Sequence, residues 1–198
     1  MVFPKASAES PQMFESRFID AFSRVHPGVV PAIYVPASVA TFWLALDAGV
    51  AVVSSVGLLL VGWLIWTLTE YWLHRTLFHW VPKTRWGEQF HFIVHGVHHK
   101  WPRDKYRLVM VPAISIPVYL LFAAVFVGLF GSYGWAMHTG FTVGYMCYDM
   151  THYYIHHHAP KNRWFKALRK NHMLHHFKDH DTRFCVSNLL WDRVFGTR

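Results

Sequence analysis

Apolar residues in this chain come in long unbroken runs. Residues 29–46 are interrupted only by Pro31, Pro36, Ser38 and Thr41, and residues 48–69 carry no charge. A third uncharged run covers 108–130 and a fourth covers 135–147. A helix needs about 20 residues to cross a hydrocarbon core about 30 Å thick, a length that three of these runs supply and the fourth approaches. Asp47 and Gly49 separate the first pair, and a Gly131-Ser132-Tyr133-Gly134 tetrad separates the second. Links this short join antiparallel neighbours, so the pattern predicts two helical hairpins and four transmembrane helices. The fourth is the least apolar, with His138 and Thr139 inside it, and Pro112 and Pro117 should bend or delay the start of the third.

Ahead of the first run, Phe14, Phe18 and Phe22 recur every four residues with Glu15, Arg17, Asp20 and Arg24 between them. That spacing predicts a short amphipathic helix, lying either in the headgroup layer or against the rest of the protein. The reading divides the chain into an N-terminal segment, 1–28, and a membrane domain, 29–198. No cleavable signal peptide is expected, because the first apolar run starts late and no small-residue cleavage site follows it.

Composition agrees with a bilayer. Of the 198 residues 53% are hydrophobic and only 15% charged, against about a quarter charged in soluble domains. The 19 Lys and Arg fall in three zones, 5–24, 75–107 and 161–198, while 25–74 and 108–160 hold none. Two hairpins place those zones on one face, which the positive-inside rule makes cytoplasmic, together with both termini. The formal charge of +8 is therefore a topology signal. No compact basic module stands apart from the spans, so nucleic acid is not an expected partner. The two cysteines, Cys147 and Cys185, indicate neither a disulfide framework nor a thiolate zinc site.

The sixteen histidines change the picture. All but His26 and His138 gather in four clusters on the basic side of the spans: His74 and His79; His91, His95, His98 and His99; His152, His156, His157 and His158; His172, His175, His176 and His180. Residues three and four apart share a helix face, so His95, His98 and His99 form one prong, His172, His175 and His176 a second, and His152 with His156 a third. His74 and His79 stand five apart, about 140° around an α-helix. They can serve one site only if the helix end unwinds, or two metals from different sides.

Ten nitrogens exceed the four or five that one such ion takes, which implies two metals with about five ligands each. Imidazole suits iron, zinc, copper and nickel alike. A membrane-embedded, nitrogen-rich pair of metals with few carboxylates fits oxygen activation better than hydrolysis; no H-E-x-x-H sequence occurs, and Glu88-Gln-Phe-His91 is the one E-x-x-H tetrad. His91, His157, His158 and His180, with Asp149, Glu70 and Asp181, are candidates to support the ligands from behind, or else lie at the surface. His26 and His138, each alone, read as hydrogen-bonded side chains.

A haem-carrying membrane electron carrier would want histidine pairs inside the spans, and a metal transporter would want polar residues through them; both are lacking.

The boxes resemble the fatty acid hydroxylase superfamily of membrane non-haem di-iron oxygenases, whose pattern is H-x(3,4)-H, H-x(2,3)-H-H and a distant second H-x(2,3)-H-H. Here these are His74 to His79, His95 to His99 and His172 to His176. The strings HFIVHGVHHKWPRDKYRLVMVP, YDMTHYYIHHHAP and NHMLHHFKDHDTRFCVSNLLWDRVFGT are similar to the fatty acid 2-hydroxylase branch, over about residues 68–197.

The resemblance implies an all-α integral membrane protein whose cytosolic helical cap holds a dimetal site. It implies two iron ions, replaceable by zinc in purified protein, and dioxygen as co-substrate. The reaction would be hydroxylation of an unactivated carbon, the 2-position of a fatty acid or of a sphingolipid N-acyl chain. Sterol or carotenoid hydroxylation and lipid desaturation are the alternatives within the same superfamily. The implied ligands are His74, His79, His95, His98, His99, His152, His156, His172, His175 and His176. Several members carry an N-terminal cytochrome b5 domain, for which no haem motif is found here, so electrons are expected from a separate cytochrome b5, or from a ferredoxin with its reductase. The expected membrane is the endoplasmic reticulum in a eukaryote and the inner membrane in a bacterium. Trp72, Phe78, Trp80 and Trp101 could line a lipid slot or an aromatic belt, and Arg103, Lys105 and Arg107 could bind an acidic head group or donor, or mark topology.

Overall fold

The computed structural model describes residues 10–198, and among these every regular element is helical. A short α1 (Arg17–Phe22) precedes α2 (Val29–Asp47), α3 (Val52–Trp72), α4 (Arg85–His91) and α5 (Val97–Lys100). Then follow α6 (Pro112–Phe130), α7 (Tyr133–His157), α8 (Arg163–Phe177) and α9 (Leu190–Val194). Two π-helical turns extend the pattern, Leu73–Phe78 continuing α3 and Phe92–Gly96 joining α4 to α5. The third apolar run begins its helix at Pro112 rather than at 108, since proline suits a first helical turn that has no partner for its N–H.

Three helices have the length and apolarity to cross a membrane: Val29–Asp47, Val52–Phe78 and Pro112–Phe130. They surround α7, which packs against α2, α3 and α6. This explains why the fourth run is the least apolar. Its polar groups face protein: the Thr139 and Thr41 hydroxyls lie 2.8 Å apart across α7 and α2, and His138 Nε2 donates to the Tyr119 carbonyl of α6 at 3.1 Å. In hydrocarbon, polar groups are tolerated where neighbouring helices satisfy them.

The α3–α7 crossing is close. A Cβ on Gly140 would collide with the Leu59 carbonyl, and one on Gly62 with the Met137 carbonyl, so the backbones touch where each helix has no side chain.

Outside this bundle, α1 is tied down by charge. Asp20 is buried and pairs with Arg107 at 2.9 Å and Arg24 at 3.0 Å, while Arg107 also meets Asp104 at 3.4 Å. Phe18 and Phe22 of the same helix stay exposed, pressed edge to face on one another. Arg107 is thus a structural ion-pair partner, with no free charge for a head group.

The C-terminal segment closes back on α3. Trp191 Nε1 donates to Thr67 Oγ1 at 3.1 Å, the Tyr71 hydroxyl lies 3.2 Å from Thr197 Oγ1, and Tyr71 stacks on Phe195.

Candidate metal centre

All ten histidines of the spaced boxes converge at the end of the bundle where α3 and α7 finish and α8 crosses. Among the described residues they form two groups of five, His74, His79, His95, His99 and His175 in one, His98, His152, His156, His172 and His176 in the other. Within each group the candidate ligand nitrogens lie within 4.8 Å of one another. The groups abut, with the rings of His99 and His176 stacked 4.2 Å apart.

Helix geometry explains the partition. Residues four apart stay together, as His95 with His99, His152 with His156 and His172 with His176. The middle histidine of each H-x-x-H-H box points the other way: His98 leaves its neighbours for the second group, and His175 leaves its own for the first. Each box therefore serves both groups. The spacing of His74 and His79 is resolved by the π-helical turn Leu73–Phe78, in which a wider coil brings residues five apart onto one face. Their rings stand 5.1 Å apart in a single group.

Hydrogen bonds fix the orientation of two first-group rings. His74 Nδ1 lies 2.6 Å from the Phe184 carbonyl and His175 Nδ1 lies 2.7 Å from the Thr182 carbonyl. A carbonyl only accepts, so each Nδ1 carries the proton and each Nε2 presents a lone pair. Those Nε2 atoms face further imidazoles, His95 Nε2 at 3.1 Å from His74 and His79 Nε2 at 3.1 Å from His175.

In the second group, His172 Nε2 sits 2.9 Å from both His152 Nε2 and His156 Nε2 and 3.0 Å from His176 Nε2. One ring nitrogen offers either one hydrogen or one lone pair, so it cannot hydrogen-bond to three others. Nitrogens bound to one ion at about 2.1 Å and at right angles stand about 3 Å apart. Both groups therefore fit a metal ion.

Electrostatics agrees. Burial, reinforced by the charge of neighbouring histidines, pushes His98 down to about 3. Burial also takes His175 down to about 3, opposed by its bond to Thr182, and His79 down to about 4. His95, His99, His172 and His176 are lowered for the same leading reason. All are neutral at physiological pH, the form that binds metals.

The supporting candidates distribute differently. His180 stands beside the first group, its ring 5.0 Å from His99. His91 lies next to Gly96, with its Nδ1 buried and unpartnered, and the His157 ring is tilted against Tyr153 at 4.4 Å. Asp149 accepts from the Met110 backbone at 3.2 Å. Glu70, fully enclosed, bonds the segment after Cys185: Val186 N and Ser187 N at 2.8 Å each, and the Ser187 hydroxyl. His26 accepts from Gly28 N, and neither it nor His138 joins either group.

Phe78 stacks on His95, and Phe184 lies edge-on to His74, His79 and His175, so aromatic rings wall the first group. Trp72 and Trp80 are 40% and 50% exposed, at the rim rather than in a closed slot.

The chain is similar to known proteins in sequence and fold. The chain is 39% identical over 197 residues to a dihydroceramide fatty acyl 2-hydroxylase of Arabidopsis thaliana, covering 98% of this chain and 82% of that protein. It is 37% identical to a ceramide very long chain fatty acid hydroxylase of Saccharomyces cerevisiae, covering 91% of this chain but 47% of the yeast protein. A solved structure described as full-length scs7p with only its hydroxylase domain visible superposes with a TM-score of 0.86 at 35% identity, over 91% of this chain and 69% of that one. A family model for fatty acid hydroxylases matches residues 59–197, a stretch that holds all ten clustered histidines and the closing segment against α3, and the chain belongs to the fatty acid hydroxylase family.

Proposed function

We propose that this chain is a lipid monooxygenase that hydroxylates carbon 2 of a fatty acyl chain, most naturally the N-acyl chain of a sphingolipid. The observation that carries it is the pair of abutting five-imidazole groups at one end of an apolar bundle, in a family whose close relatives are named for fatty acyl 2-hydroxylation. The balanced reaction is R-CH2-R′ + O2 + 2e⁻ + 2H⁺ giving R-CHOH-R′ + H2O.

Two ions, iron in the working enzyme, would be held by His74, His79, His95, His99 and His175 and by His98, His152, His156, His172 and His176; when bound they supply the redox chemistry that activates dioxygen. The chain itself does the placing. Buried, neutral imidazoles keep ten lone pairs aimed inward, and the backbone carbonyls of Thr182 and Phe184 fix two rings against rotation. Phe78 and Phe184 keep water from one side of the first group. A methylene offers no charge to grip, so an acyl chain rising from the bilayer would be aligned by apolar contact, and the exposed Trp72, Trp80 and Trp86 mark the interface from which it enters.

In this reading α7 is the fourth span, shielded from lipid by the other three. The basic zones, both termini and the metal centre face the cytoplasm, with 29–198 as the hydroxylase domain and electrons arriving from a separate cytochrome b5 or ferredoxin. Lipid analysis of cells expressing the chain tests it: acyl chains should gain one oxygen at carbon 2, and His98→Ala and His175→Ala should abolish the product while the protein still inserts. A chain that loses two hydrogens instead, or a hydroxylated sterol, would assign a different reaction to the same centre. An intense Soret band in the purified protein would replace this reading with a haem carrier.

A further inference from the structure

Four consecutive backbone amides between Arg183 and Asn188 are held by two buried carboxylates. Asp192, with no exposure, accepts from Phe184 N at 2.9 Å through Oδ1 and from Cys185 N at 3.2 Å through Oδ2. Glu70, 2% exposed, accepts from Val186 N and Ser187 N through a single oxygen, Oε1, while Oε2 takes the Ser187 hydroxyl. Asp192 also receives Asn171 Nδ2 at 3.0 Å and Thr197 Oγ1 at 2.9 Å. The strip is thereby fastened to α3 on one side and to α8 and the C-terminal turn on the other.

Two carbonyls at its leading end face the metal centre, one on the strip at Phe184 and one just before it at Thr182, where the next amide, Arg183 N, donates to Thr197 O at 2.7 Å. Phe184 O receives His74 Nδ1 and Thr182 O receives His175 Nδ1. Both rings belong to the first group. The second group has no such fastening at two of its members, because the Nδ1 atoms of His172 and His176 are buried without a hydrogen-bond partner.

We propose that Glu70 and Asp192 are positioning residues for one metal of the two: they fix the strip that carries the Phe184 carbonyl and continues from the Thr182 carbonyl, the two that orient His74 and His175, and so set affinity at the first five-histidine group while leaving the second nearly untouched. The proposal rests on the dimetal reading above. Buried charges are costly unless fully hydrogen-bonded, and each carboxylate here holds two consecutive amides of a backbone with no catalytic group of its own, which makes the placement of its leading carbonyls the outcome of the arrangement. Removing a group that supports a ligand commonly weakens metal binding by about 10- to 100-fold.

The glutamate permits a sharp comparison. Gln in place of Glu70 keeps an oxygen that can accept both amides, whereas Ala keeps nothing. Purified full-length protein in nanodiscs would be analysed for metal per chain, and the release of metal to an excess chelator followed in time. Wild type should hold two ions. Glu70→Ala should retain about one, and Glu70→Gln about two. In Ser187→Ala, a milder change that spares both amide bonds and keeps the test decisive if Glu70→Ala does not fold, one of two release phases should quicken while the other stays at the wild-type rate.

Two ions in wild type with two also in Glu70→Ala would overturn the proposal, as would equal loss of both, a glutamine variant as depleted as the alanine one, or equal quickening of both phases in Ser187→Ala. Wild-type protein holding other than two ions would instead overturn the dimetal reading on which it stands.

Discussion

At the scale of single residues, the centre is a device for keeping imidazoles uncharged. His98 and His175 sit near 3 and His79 near 4, burial being the leading cause in each. An unfolded chain binds protons at these histidines below about 6.5. Between about pH 6.5 and 4 the unfolded state of metal-free protein therefore holds more protons than the folded state, so stability is full above that window and falls as acid is added. The thermal midpoint of chelator-treated protein should drop by several degrees from pH 7 to pH 5. A flat midpoint across that range would contradict the neutral cluster. Eight of the ten histidines were readable from spacing, because three- and four-residue intervals state directly which side chains can meet, whereas the five-residue interval of His74 and His79 left one site or two open. The carbonyls of Thr182 and Phe184 were not, since a backbone acceptor has no residue type to announce it. Glu70 was visible as a buried carboxylate near His74, yet its partner is a peptide strip far along the chain, which local spacing does not encode.

At the scale of elements, α3 shows how a sequence conflict becomes a working feature. An α-helix would set His74 and His79 about 140° apart, and the π-helical turn Leu73–Phe78 removes the mismatch with an effectively inserted residue. Deleting Thr76, an exposed position inside that turn, should restore α-helical winding and swing His79 out of the first group. Metal content should fall from two ions to about one and product by about 100-fold or more, measured by elemental analysis and lipid mass spectrometry. Retention of two ions would show that the turn is dispensable. The hairpins and most helix boundaries could be read from apolar runs, but the enclosure of α7 could not. Its polarity looks like weakness in one dimension and becomes shielding only when three other helices surround it. Gly140→Val probes that enclosure: with the Leu59 carbonyl in the way, α3 and α7 must separate, at a cost of about 1–3 kcal/mol. Detergent-solubilised variant protein should melt earlier than wild type, and an unchanged melting point would mean that the crossing is not tight.

At the scale of the whole molecule, the proposed four-span arrangement would place the basic zones and the clustered histidines on one side of the membrane. A cysteine introduced at Gly49 should react with an impermeant thiol reagent only from the face opposite the C-terminus, in membranes where Cys147 has been replaced by serine. Labelling of that cysteine from the face on which the C-terminus lies would refute the four-span arrangement. The termini also share in the architecture, Asp20 bonding to Arg107 near the start and Thr197 to Asp192 near the end.

The division of each H-x-x-H-H box between the two groups has a mechanical consequence. Transmembrane helices tilt as a bilayer thickens or thins, and tilting slides one helix against the next. If each centre were built by its own set of helices, such sliding would stretch or squeeze the gap between them. Here α8 alone carries ligands of both, His175 for one and His172 and His176 for the other, and the stretch from His95 to His99 does the same from the opposite side. Two struts thus cross the gap, each rigid over a single turn. Lipid composition can reorient the pair as one body, while the span between the two centres is set by the pitch of a helix.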